Sequence, residues 1–176
     1  MNISRNAVRI CIGALTAALY AALTIILAPI SYGPIQLRVS EVLCVLPYFA
    51  PFTCWGLTLG CALANLLTGS IPDVVFGSLA TLLAGLCTAR RGKGEHNGRS
   101  AFLACLMPVI FNAFIVGGVL VRTYSGIEAE TGLTAYLLTS MWVGIGEAAV
   151  MLLPGMAAIR LLPGYRAFKE LMEKIN

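Results

Sequence analysis

Long apolar runs alternate along the chain with short polar breaks, and few charges fall inside the runs. Those at 8–28, 73–89, 101–121 and 133–161 each reach the roughly 17 apolar residues that a helix needs to cross a bilayer core. Residues 40–67 are apolar almost throughout but carry Pro47 and Pro51 near the middle, where a continuous helix loses a hydrogen bond and clashes with its preceding turn. Charge sets how often this stretch crosses. Arg5 and Arg9 place the N-terminus inside, and Arg90, Arg91, Lys93 and Arg99 belong on the same side, so an even number of crossings separates them. Residues 40–67 are therefore expected to turn back near Pro47–Pro51. The expected fold is all-α, a single integral membrane domain of six transmembrane helices with both termini cytoplasmic. The spans fall at about 8–28, 38–50, 52–68, 73–89, 101–121 and 133–161.

Composition agrees and narrows the function classes. Hydrophobic residues make up 59% of the 176 and charged residues 11%, with a mean hydropathy of +0.86; soluble domains average about 25% charged. The length leaves no room for an extramembrane domain beside six spans. A net charge of +4 is no sign of a nucleic-acid partner here, because ten of the twelve Lys and Arg fall at the expected inner ends, leaving Arg38 and Arg122 outside. The six cysteines all lie within apolar runs without a C-x-x-C pair, which reads as buried thiols rather than a metal or disulfide framework. His96 stands alone in a charged, glycine-rich loop, and no metal or cofactor is expected. The first run lacks a small-residue cleavage site and is read as a retained span. No Walker A, H-E-x-x-H or G-x-S-x-G sequence supplies an ATPase or hydrolase centre.

The chemistry lies in the breaks and in a few polar residues within the spans. Between Pro29 and Glu41 two prolines, a glycine, Arg38 and Glu41 interrupt the apolar pattern, leaving backbone groups that need partners other than lipid. Arg38 and Glu41 are three apart, so on a helix they share a face and either pair or point together at a ligand. Asp73 follows Pro72 at a helix start, where a carboxylate suits capping. Asn65 and Asn112 are either interhelical hydrogen-bonding groups or ligand contacts. Glu147 lies near the middle of the last run, a depth at which a carboxylate costs a few kcal/mol unless it is paired or faces a cavity. All six residues fall between the expected outer edge and the midplane, the pattern of a pocket open to the outside. On the first span Gly13, Ala17 and Ala21 form one four-residue ladder of small side chains, and Ala14, Ala18 and Ala22 an adjacent one. Such faces allow close helix packing, either within the bundle or with a partner.

The runs Ala28–Glu41, Ala64–Leu67, Asp73–Leu83, Phe111–Gly117 and Val143–Glu147 resemble, in order, the queuosine-precursor transporter family, whose members are substrate-binding S components of energy-coupling factor transporters. The resemblance implies a subunit of the bacterial cell membrane that captures a nutrient outside and docks, through the small-residue ladder, on a transmembrane scaffold subunit carrying two cytoplasmic ATPases. It is then not itself an enzyme. The implied substrate is queuine, queuosine or 7-aminomethyl-7-deazaguanine. On chemical grounds Glu147 accepts the two adjacent donors of a guanine-type edge, Asn112 and Asn65 read the remaining ring groups, Asp73 or Glu41 faces a side-arm amine, and Trp142 or Tyr32 stacks on the ring, with Arg38 neutralising Glu41. Two other readings remain: an S component for another micronutrient, and a standalone membrane enzyme or assembly factor.

Overall fold

The computed structural model describes residues 4–32, 35–67, 69–94, 97–124 and 132–175, and these are helical without strands. Four helices are long and apolar enough to cross a membrane: α1 (Arg5–Ile26), α4 (Asp73–Gly92), α5 (Gly98–Val121) and α6 (Leu133–Gly164). Two shorter apolar helices lie between α1 and α4, namely α2 (Val39–Phe49) and α3 (Thr53–Leu66). They break at residues 50–52, beside the two prolines that led the sequence reading to a turn there. A terminal amphipathic helix, α7 (Arg166–Ile175), follows. His96 and most of the polar stretch after Tyr124 lie outside the described residues.

Local chemistry sets the helix ends. Ser4 caps α1 by accepting from the Ala7 amide at 3.3 Å, and Asn97 caps α5 by accepting from Ser100 at 2.8 Å. At the start of α4 the hydroxyl of Ser70 accepts from the Asp73 amide at 3.4 Å. Asp73 therefore sits inside the first turn, and the capping position expected for it belongs to Ser70. Three of the long spans are not uniform. Residues 73–77, 112–116 and 151–155 each form a π-helical turn, a local widening that breaks the regular ladder and is common at functional sites.

Small residues decide how the bundle closes. A Cβ on Gly56 would overlap the carbonyl of Gly13, and one on Gly60 would lie 2.6 Å from the Ala17 carbonyl oxygen, so α1 and α3 touch backbone to backbone. This contact uses the Gly13–Ala17–Ala21 ladder, in which Ala17 and Ala21 are buried. Ala14, Ala18 and Ala22 remain exposed on the outer side of α1. The main core joins Tyr20, Val45, Tyr48, Leu57, Cys61, Cys105 and Met151 from five helices. Large apolar side chains such as Trp55, Leu59, Ile71 and Leu153 point outward, as they do in a protein whose solvent is lipid.

Candidate functional site

The segment between α1 and α2 carries the geometry from which the site is built. One helical turn, Ala28–Ser31, follows α1, and the described residues 35–38 lead without helix into α2 at Val39. Gln36 there adopts φ 47°, a left-handed conformation that costs a side-chain-bearing residue about 1–2 kcal/mol. Non-helical backbone is tolerated in a membrane protein where protein buries it or where it lines a cavity, and Gln36 and Arg38 are both buried and cavity-lining. Residues 35–36 lie directly on Gly146 of α6, where an added Cβ would overlap the Ile35 carbonyl oxygen and stand 3.0 Å from that of Gln36. Only glycine at 146 lets the segment approach this closely, and the neighbouring residue on α6 is Glu147.

Glu147 is buried, and its Oε1 accepts a hydrogen bond from Asn112 Nδ2 at 2.9 Å. The pair joins α6 to the π-helical turn of α5. Glu147 Oε2 and Asn112 Oδ1 are buried without hydrogen-bond partners among the described residues, and so is Arg38 Nε. Arg38 lies at the foot of the irregular segment, 95% buried, with its guanidinium carbon 5.6 Å from the centre of the Tyr32 ring. Its Nη1 lies 3.9 Å from the Cys61 thiol sulfur.

Glu41 is differently placed from what its spacing to Arg38 implied. Its Oε1 accepts from the Tyr20 hydroxyl and its Oε2 from the Cys44 thiol at 2.9 Å. Both carboxylate oxygens are therefore engaged by α1 and α2, and no direct ion pair with Arg38 forms among the described residues. Thr24 and Ser40 share a hydrogen bond of 2.6 Å one turn above, which further ties α1 to the start of α2.

Tyr32, Arg38, Asn65 and Asp73 meet around a cavity of about 20 Å³, together with Gln36, Gly77 and the α5 residues Val116, Val119 and Leu120. That space holds about one water. Tyr32 donates to the Ala64 carbonyl at 2.8 Å, and Asn65 donates to the Asp73 carbonyl at 2.9 Å, so α3 supports both the irregular segment and the start of α4. Asp73 is half-buried at the edge.

Of the eight residues that sequence reasoning placed at the substrate, Glu147 and Asn112 are bonded to each other, and Tyr32, Arg38, Asn65 and Asp73 share the cavity. Glu41 is adjoining but internally satisfied. Trp142 is 45% exposed and stands five residues from Glu147, on a different face of α6 from the buried Val143 and Glu147. It does not join the cluster. Gln36, Gly146 and Tyr20 were missed. Nothing in the residue pattern marks Gln36, whereas Gly146 is signalled by its place beside the buried carboxylate.

A sequence model of the QueT transporter family matches residues 10–163. The protein described as "Queuosine precursor transporter QueT" from Lactococcus lactis subsp. cremoris (strain MG1363) is 44% identical over 72 residues, covering 40% of this chain and 43% of that protein. The matched stretch is thus less than half the length of that relative. No solved structure matches the chain. The family match runs from α1 through α6 and takes in the irregular segment, Asn112 and Glu147. The chain belongs to the QueT transporter family.

Proposed function

We propose that this protein is the substrate-binding subunit of an ATP-driven energy-coupling factor importer in the bacterial cell membrane, and that its substrate is a queuosine precursor carrying a 7-deazaguanine base. The observation that carries the substrate reading is the trio of buried polar atoms Glu147 Oε2, Asn112 Oδ1 and Arg38 Nε, two acceptors and one donor without partners among the described residues. A guanine-type edge is complementary, with two adjacent N–H donors followed by a carbonyl acceptor. Glu147 Oε2 takes the 2-amino donor and Asn112 Oδ1 the adjacent ring N–H, while Asn112 Nδ2 holds the carboxylate in place through Oε1 and Arg38 donates to the carbonyl. Tyr32 supplies an aromatic wall, and Asp73 at the edge suits a cationic side arm. Ligand pockets ordinarily measure about 300–1,000 Å³, so the walls of the 20 Å³ cavity separate as the base enters.

The chain has no ATPase motif, so energy comes from partners: a membrane scaffold subunit and two cytoplasmic ATPases. Ala14, Ala18 and Ala22 are exposed small residues one turn apart on α1 and form the face on which the scaffold helices pack. Glu147 and Asp73 then serve binding rather than catalysis. Calorimetric titration of the purified chain with queuine and with 7-aminomethyl-7-deazaguanine tests the substrate, and competition with flat vitamins tests its class. Co-purification with an ATPase pair is the expected result for an importer subunit. Binding of neither compound by folded protein would remove the substrate assignment, and loss of the ATPases with retained binding would remove the coupling assignment.

A further inference from the structure

A cavity of about 850 Å³ opens at the end of the bundle away from Glu147, between α7 and the ends of α2, α4, α5 and α6. Its walls divide by chemistry. Phe49, Phe168 and Met172 give an apolar side, while Arg160 and Lys169 bring two cations against one carboxylate, Glu173, among the described lining residues. Arg91, Lys93 and Arg99 directly adjoin the lining residues Gly92 and Gly98 in sequence, so the surroundings are basic as well. The helix that roofs this space is held at both ends. Arg9 of α1 donates from Nε and Nη2 to the Ile175 carbonyl, at 2.9 and 2.6 Å, and Phe168 packs edge-on against Phe49 with ring centres 5.1 Å apart. An amphipathic helix fastened across the basic end of a membrane bundle lies at the level of the lipid headgroups.

We propose that this cleft is a binding site for an anionic phospholipid, with its phosphate at Arg160 and Lys169 and its acyl chain along Phe49, Phe168 and Met172. The charge asymmetry selects the occupant. A zwitterionic lipid offers the same chain but no net charge to the two cations, and a free phosphate offers charge but leaves the apolar wall unfilled. Each cation near an anionic lipid contributes about fivefold in affinity. Both together set an upper bound on the order of 30-fold for phosphatidylglycerol over phosphatidylcholine, which the Glu173 carboxylate lowers toward about fivefold.

The test uses the full chain in neutral detergent, titrated with short-chain phosphatidylglycerol, phosphatidylcholine and inorganic phosphate, with bound lipid read by native mass spectrometry. The expected result is retention of one phosphatidylglycerol, little phosphatidylcholine, and no competition from phosphate at equal concentration. The double variant Arg160→Gln/Lys169→Gln is expected to lose the preference, while Lys174→Gln, altering a cation outside the lining, keeps it. For the unmodified protein, raising salt from 0.05 to about 0.5 M is expected to reduce the preference several-fold. Equal retention of the two lipids, competition by phosphate alone, or an unchanged preference in the double variant would each overturn the proposal.

Discussion

Replacing Gly146 with alanine adds one methyl group at the point where the irregular segment meets α6, and the structure fixes what it meets. The new Cβ overlaps the Ile35 carbonyl oxygen and stands 3.0 Å from the Gln36 oxygen and 3.1 Å from the Gln36 carbonyl carbon. All of these are backbone atoms, which cannot rotate aside, so the segment must retreat toward ordinary contact distance and take Gln36 and Arg38 with it. Overpacking of this kind costs about 1–3 kcal/mol. If the bound state requires the original approach, that cost appears as about 5- to 150-fold weaker binding. Gly144→Ala is the internal control: it lies on the same helix, but its Cβ would meet only the Ala113 methyl at 3.4 Å, an ordinary contact. Its affinity is expected to stay within about twofold of the parent. Both variants are measured by titration with 7-aminomethyl-7-deazaguanine, and their folding is followed by thermal exposure of the buried thiols of Cys44, Cys54, Cys61 and Cys105 to a reactive dye. Equal affinities for the two variants, both folded, would refute the claim that the close approach at Gly146 shapes the pocket.

Other outcomes follow from single contacts. Tyr20→Phe leaves Glu41 Oε1 buried without its hydroxyl donor, and thiol-dye melting is expected to show a loss of about 1–3 kcal/mol. Gln36→Gly removes a side chain that lines the cavity while relieving the left-handed strain, so it is expected to weaken substrate binding in calorimetry without lowering the melting temperature. Trp142→Ala, altering an exposed face of α6, is expected to leave affinity unchanged in the same titration. Ala18→Leu on the exposed side of α1 is expected to reduce recovery of the ATPase partners in pull-downs while substrate affinity holds; Gly60→Leu, which drives a side chain into the Ala17 backbone, is expected to unfold the bundle.

Much of this arrangement could be read from residue order, because lipid imposes strong rules. Apolar run lengths gave the long helices, and Pro47 and Pro51 gave the break between α2 and α3. The depth of Glu147 and Asn112 within apolar runs marked them before any contact was known, since a polar group there needs a partner. What remained hidden depends on direction around a helix axis and on backbone contact. Two adjacent small-residue ladders on α1 look alike in sequence; the glycines of α3 select the Gly13–Ala17–Ala21 face for internal packing. Trp142 and Glu147 are close in sequence but face different ways. The i, i+3 spacing of Arg38 and Glu41 invited a direct pair, yet Arg38 precedes the helix start at Val39, and Tyr20 and Cys44 take the carboxylate.

The central claim is that the Glu147 carboxylate, held by Asn112, reads the donor edge of a 7-deazaguanine. Its most direct test is calorimetric titration of the parent chain and Glu147→Gln with 7-aminomethyl-7-deazaguanine and with the analogue lacking the 2-amino group. A hydrogen bond to a charged acceptor contributes about 1.5–3 kcal/mol, so the parent is predicted to bind the analogue about 10- to 150-fold more weakly, and Glu147→Gln is predicted to lose most of that discrimination. Undiminished discrimination in a folded Glu147→Gln protein would contradict the account and move recognition of that edge to another residue.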